Sequence, residues 1–303
     1  MDWCETTGLD LSYPMFDIAI ERHLLGGGRF ASTTLSSLAA VPSTPAPAGF
    51  IYHVSRCGST LLSNLLQTSG EAVSLSEPMI ACSTLRNAEL WERAGSPTLR
   101  AFAAAYDPVQ VFVKFTADAV SSWRQIEASF PNVPRLFLYR DPIEVVVSLV
   151  GSSHDRLPPG LSRLGLIPGD VDGVRPAEFW ARVVGKQLQA GIASFREAAG
   201  RQLLLNYADL PESVFDRVVP FLGLRLSPAG IDRMRAASRR SAKAWNKPFV
   251  QDRESKQQSA TAEIRDAVRA YAYDPFVELE GLRLGSLHSA RGAIAFDPNV
   301  TRE

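Results

Sequence analysis

The sequence predicts an α/β fold, a three-layer α/β/α arrangement around a mostly parallel sheet, and three observations carry that prediction. Five short apolar runs alternate with stretches long enough to be helices. The first run passes directly through a small-residue turn into a helical run, and the fourth ends in Arg140-Asp141-Pro142, which stops a strand and starts a helix. In sheets of this kind ligands bind beyond the carboxyl ends of the strands, so the chemistry is expected there.

Taken in chain order, residues 1–48 read as a helical extension. Phe16, Ile18, Ala19, Leu24 and Leu25 form an apolar stripe, Gly26-Gly27-Gly28 stops it, and Pro42 to Pro47 is an extended linker. Strands are expected at Phe50–Val54, Ala72–Leu75, Val109–Phe115, Leu136–Tyr139 and Gln202–Leu205. Helices are expected at 60–68, 119–129, 142–152 and 176–199, while 153–175 and 239–260 read as loops that cover or complete a site. The chain thus divides into an extension at 1–48, an α/β domain at 49–275 and a tail at 276–303.

Composition narrows the function classes. The 303 residues are 46% hydrophobic and 21% charged, enough for a sizeable core and inconsistent with a disordered tail. Thirty-two basic residues balance thirty-two acidic ones, so no overall field attracts nucleic acid or anionic lipid, and any anion site must be local. Lysine is scarce, 5 against 27 arginines, which makes Lys114 and Lys256 worth inspecting. Cys4, Cys57 and Cys82 lack the spacing of a disulfide framework or a metal site. The acidic N-terminus does not read as a secretory signal, and no apolar run approaches the ~20 residues that span a bilayer. A soluble, cytoplasmic protein without a bound metal is the expectation.

Two motifs carry the chemistry. After the first strand come Ser55-Arg56-Cys57-Gly58-Ser59-Thr60 and the helical run from Leu61. Free N–H groups and the helix dipole of such a turn point at an anion, Gly58 permits close approach, and Arg56 adds a cationic fork. An ATP-binding loop would place Gly-Lys-Ser/Thr at the helix start, whereas here the cation precedes the glycine. In the second motif Asp141 is a natural N-cap, Pro142 suits the first helical position and Glu144 completes a capping-box-like start, which leaves Arg140 at a strand end. Ser148 follows four residues after Glu144 on the same helix face. Bland readings stand beside these: an ordinary helix cap for the turn, and for Arg140 a pairing with Asp141 or a neighbouring carboxylate.

Together the two motifs resemble the sulfotransferase family that uses 3′-phosphoadenosine 5′-phosphosulfate (PAPS), in the form found in carbohydrate and protein-tyrosine sulfotransferases. The resemblance spans about residues 50 to 260 and implies a fold like that of P-loop nucleoside triphosphate hydrolases. It implies that Ser55, Arg56, Cys57, Gly58, Ser59, Thr60 and Leu61 hold the 5′-phosphosulfate, with Cys57 a tolerated small residue and not a nucleophile. Arg140 and Ser148 would grip the 3′-phosphate, with adenosine 3′,5′-bisphosphate as the product. Tyr207, in Leu205-Asn206-Tyr207, looks like the family's strand-end tyrosine, although the acidic residue usual after it is Ala208 here. Ser241 and Lys256 match the loop that closes over the adenosine-phosphate end.

Sulfuryl transfer needs cations at the leaving oxygen and a base for the attacking group. The resemblance implies that Arg56 and Lys114 supply charge and that Glu77, in Ser76-Glu77-Pro78, is the base. A solvated strand-end lysine and a turn carboxylate are the plain alternatives for the last two. His154 and Asp118 remain other candidates for the base, while His53, inside a strand, reads as a packed core residue. The acceptor, a small molecule, carbohydrate or peptide with a hydroxyl or amine, is not legible. A nucleotide-dependent kinase with a degenerate phosphate loop and a non-catalytic nucleotide-binding module are the competing readings.

Overall fold

The computed structural model describes residues 2–41, 45–153, 166–167, 173–198, 200–240 and 251–294. The Pro42–Thr44 part of the linker, His154 and Ser241 lie outside the described residues.

Five parallel strands build the central sheet: β3 (Gly49–His53), β4 (Ala72–Ser76), β5 (Gln110–Lys114), β6 (Arg135–Tyr139) and β7 (Gln202–Asn206), in the order β4-β5-β3-β6-β7. Each lies within two residues of its expected position at either end. Every residue of β3, β4 and β6 is buried, as a sheet covered on both faces requires. A separate two-stranded ribbon, β1 (Asp2–Cys4) against β2 (Phe30–Ser32), was not anticipated, because three-residue strands carry too little alternation to register.

The helices named here are α1 (Phe16–Leu25), α2 (Ser59–Thr68), α3 (Ser96–Tyr106), α4 (Trp123–Ser129), α5 (Pro142–Ser153), α6 (Pro176–Glu197), α7 (Pro228–Ser238), α8 (Arg253–Gln258), α9 (Ala262–Tyr271) and α10 (Tyr273–Ile294). They complete a three-layer α/β/α architecture whose main core contains Phe50, Tyr52, Phe112, Phe137, Val146 and Leu188. The N-terminal segment is docked: Phe16 and Ala19 of α1 bury against Val73, Leu75 and Val111, and Phe16 meets Phe102 edge-on at 5.2 Å. At Gly185 of α6 an added Cβ would lie 2.1 Å from the Tyr271 carbonyl, so this glycine sets how closely the end of α9 approaches.

Two expectations are corrected. Part of the expected loop 239–260 is helical, since α8 begins directly after Asp252. Glu144 does not complete a capping box. The α5 start is capped by Asp141, which accepts from the Ile143 N–H at 2.8 Å, while Glu144 is buried and pairs with Arg140. Residues 276–294, read as part of the tail, form most of α10. There Leu279 is buried, and Glu280 accepts from Tyr139 and, at 2.9 Å, from Asn206 at the ends of β6 and β7.

Candidate functional site

All five strands of the central sheet end at one rim, and each end carries a candidate residue. Glu77 follows β4, Lys114 closes β5, His53 closes β3 ahead of the Ser55–Leu61 turn, Arg140 follows β6 and Tyr207 follows β7. From β3 the chain crosses to β4 on one side, and from β6 it crosses to β7 on the other. The crevice between β3 and β6 is therefore the switch point where open α/β sheets take their ligands.

The turn between β3 and α2 is bent tightly, with Arg56 at φ 61° and Gly58 at φ 86°. Glycine is needed at 58 for space as well, because a Cβ would sit 2.8 Å from Leu210 and 2.9 Å from the Tyr207 ring. The side chain of Arg56 is exposed. Cys57 points inward, fully buried, and burial pushes its thiol up to about 12 against the opposing pull of the Ser59 N–H and the charges of Lys114 and Arg140. That thiol is no nucleophile at neutral pH. Its position, within the electrostatic reach of both cations, joins the two halves of the rim. Behind the turn, Ser63 bonds Ser74 at 2.7 Å and Ser76 at 3.0 Å, fastening α2 to β4.

Glu77, Lys114 and His53 form one cluster. The Lys114 ammonium, almost fully buried, donates to Glu77 Oε1. The same carboxylate oxygen lies 3.9 Å from His53 Nε2, and Glu77 keeps 24% of its side chain exposed. Glu77 is also held at φ 53°, with its N–H bonded to the Lys114 carbonyl at 2.6 Å. Arg56 and Glu77 are the two non-glycine residues with positive φ among the described residues. Such backbone persists only where the surroundings over-determine it, and it concentrates at functional sites. His53 is the buried, hydrogen-bonded residue expected, its ring nitrogens 2.9 Å from the carbonyls of Val54 and Phe115. Burial first, and Lys114 second, push it down to about 4, so it is neutral at physiological pH.

Arg140 is buried and fully engaged. Its Nε donates to Glu144 at 2.7 Å, Nη1 reaches the Arg56 carbonyl at 3.3 Å and Nη2 donates to Asp252 at 2.5 Å, while its guanidinium lies 4.1 Å over the Tyr207 ring. Burial opposes its charge, and the bonds to Glu144 and Asp252 outweigh burial, so its pKa sits above the ordinary arginine value. Ser148 is half-buried on α5, one turn beyond Glu144, and Lys256 is half-buried on α8. Asp118 pairs with the exposed Arg86 at 3.6 Å.

Comparison with solved structures identifies this architecture. The sulfotransferase domain from the curacin biosynthetic pathway superposes with a TM-score of 0.52 at 17% identity, over 75% of this chain and 97% of that one. The fold is that of a sulfotransferase domain. A sulfotransferase from Mycobacterium avium matches more loosely, with a TM-score of 0.48 at 14% identity over 74% of this chain and 78% of its own. One from Alicyclobacillus acidocaldarius gives 0.45 at 15% over 79% and 96%. No family model and no curated protein matches the sequence.

The donor set at this rim suits an anionic ligand. It offers the N-terminus of a ten-residue helix, an exposed arginine beside it, a buried lysine, and a second arginine on the next strand. Among the described residues no cluster of His, Cys, Asp or Glu is arranged to hold a metal ion, and no helix is long and apolar enough to cross a membrane. Sequence reasoning missed Asp252 as a partner of Arg140, because 112 residues separate them and the acid sits in a stretch without periodicity. The pairing of Glu144 with Arg140 was legible in principle as an i,i+4 pair.

Proposed function

We propose that the protein is a PAPS-dependent sulfotransferase that moves a sulfuryl group to the hydroxyl or amine of an acceptor, without a metal ion. The observation that supports this most is the convergence of Arg56, Glu77, Lys114 and Arg140 on one rim, at the switch point of a sulfotransferase fold.

In this reading the Ser55–Leu61 turn and Arg56 hold the 5′-phosphosulfate, and Arg140 with Ser148 holds the 3′-phosphate. Tyr207, Ser241 and Lys256 belong to the adenosine-phosphate end. When bound, PAPS supplies a sulfuryl group on a phosphate that leaves readily. Glu77 takes the proton of the acceptor, its side chain paired with Lys114 yet 24% exposed. Lys114 holds Glu77 in place and, with Arg56, balances negative charge growing at the leaving oxygen. The neutral His53 fixes the β3 end against β5 through the Phe115 carbonyl. The free cysteines Cys4, Cys57 and Cys82 fit a reducing compartment, so the cytoplasm is part of the same proposal.

The test is calorimetric titration with adenosine 3′,5′-bisphosphate in chelator, comparing wild type with Arg140→Lys. Lysine keeps a charge beside buried Glu144 but loses the planar fork, so the variant should fold and bind at least tenfold more weakly. Binding of ATP with a strict need for Mg²⁺, and none of the bisphosphate, would make the kinase reading correct. Glu77→Gln that binds the bisphosphate like wild type yet transfers no sulfate completes the case. Unchanged function in that variant would favour the non-catalytic module.

A further inference from the structure

The two carboxylates on Arg140 differ in kind. Glu144 sits one helical turn away on α5, its side chain 2% exposed. Asp252 comes from far along the chain, its side chain is 45% exposed, and it immediately precedes the six-residue helix α8. Releasing Asp252 returns a half-hydrated acid to solvent, whereas releasing Glu144 would strand a buried charge.

Asp252 is one of four residues whose contacts lay residues 251–257 across the rim. Gln251 donates to the carbonyls of Leu210 at 3.1 Å and Ala208 at 3.4 Å, while Arg253 and Gln257 each reach Glu144 Oε1 at 3.4 Å. Gln251 holds the backbone after β7, and the contacts of Arg253 and Gln257 to Glu144 are long. Asp252 alone among them engages the guanidinium edge of Arg140. An incoming phosphate needs that edge, since Nε is committed to Glu144.

We propose that Asp252 is an internal stand-in anion for the 3′-phosphate of the donor, and that residues 251–258 form a strap that the phosphate must displace from Arg140. This rests on the donor reading given above. The exchange swaps one acid on Arg140 for another, so the strap lowers affinity for the bisphosphorylated nucleotide without abolishing it. A nucleotide lacking the 3′-phosphate has no claim on Arg140 and is indifferent to the strap. The device therefore couples occupation of the 3′-phosphate seat to loosening of the N-terminal turn of α8.

The experiment measures binding of adenosine 3′,5′-bisphosphate and of adenosine 5′-monophosphate to wild type, Asp252→Asn and Asp252→Ala, with hydrogen exchange followed over residues 253–258. Both variants should bind the bisphosphate about tenfold more tightly, because the fraction of competent protein rises, and should bind the monophosphate as wild type does. Without nucleotide, α8 should exchange faster in Asp252→Ala than in wild type. In wild type the bisphosphate, and not the monophosphate, should accelerate α8. If wild type binds the bisphosphate and the variants bind it no tighter, or gain equally for both nucleotides, the strap is refuted while the donor reading stands. If no form binds the bisphosphate, the donor reading fails and the strap with it.

Discussion

Lys114 grips Glu77 twice, through its buried ammonium and through its backbone carbonyl, across the ends of two neighbouring strands. The ammonium is about 1% exposed and the carboxylate 24%, so the two halves of the pair stand in different surroundings. Lys114 has given up its water and depends on the carboxylate. Glu77 has not, and can turn part of its charge toward a ligand.

That asymmetry predicts unequal costs for removing either partner. Glu77→Ala leaves a buried ammonium without its counter-charge and should destabilise the protein by about 3 kcal/mol. Lys114→Met keeps the aliphatic volume and leaves a carboxylate with access to water, so it should cost about 1 kcal/mol. Urea denaturation of both variants at neutral pH decides the matter. Equal losses, or a larger loss for Lys114→Met, would mean that water reaches the lysine.

Arg56 supplies a second prediction, about backbone and not charge. At φ 61° an L-residue with a Cβ carries strain of about 1 kcal/mol that glycine does not. The Arg56 side chain is exposed, so truncation removes little packing. Arg56→Gly should accordingly be more stable than both wild type and Arg56→Ala, by about 1 kcal/mol in each case. Both should weaken bisphosphate binding alike. A glycine variant less stable than the alanine variant would show that the turn relaxes out of the left-handed region once the arginine is gone.

The sheet was legible because its strands are buried on both faces, and buried strands in parallel sheets are continuous apolar runs that a single sequence displays openly. Phe50–His53 and Leu136–Tyr139 needed no partner to be recognised. Glu77 and Lys114 were legible as strand-end residues because their apolar runs stop there, and Arg140 because Asp141-Pro142 starts a helix. What stayed hidden depends on contacts between distant segments. Nothing in Val250-Gln251-Asp252 announces that its acid meets Arg140, and nothing in His53 separates a ring packed anywhere in the core from one held 3.9 Å from Glu77. The left-handed backbone at Arg56 and Glu77 was equally invisible, because neither residue type prefers that region.

His53 makes the third prediction, on acid stability. In the unfolded chain its imidazole titrates near 6.5, whereas in the fold burial and the Lys114 charge push it down to about 4, against the pull of Glu77 and two carbonyls. Between those values the unfolded state binds a proton that the folded state refuses, so stability rises with pH across the window. The contribution is fully present above about pH 6.5 and is lost as pH falls toward 4, amounting to at most about 3 kcal/mol. His53→Gln still donates to one carbonyl but cannot titrate, so its stability should change less over the same range. The difference between wild-type and variant denaturation curves from pH 4.5 to 7 isolates the term from the titration of other groups. Parallel profiles would mean that the imidazole accepts a proton in place, donating to Val54 and Phe115 at once, and the cluster beside Glu77 would then carry one more positive charge than assigned here.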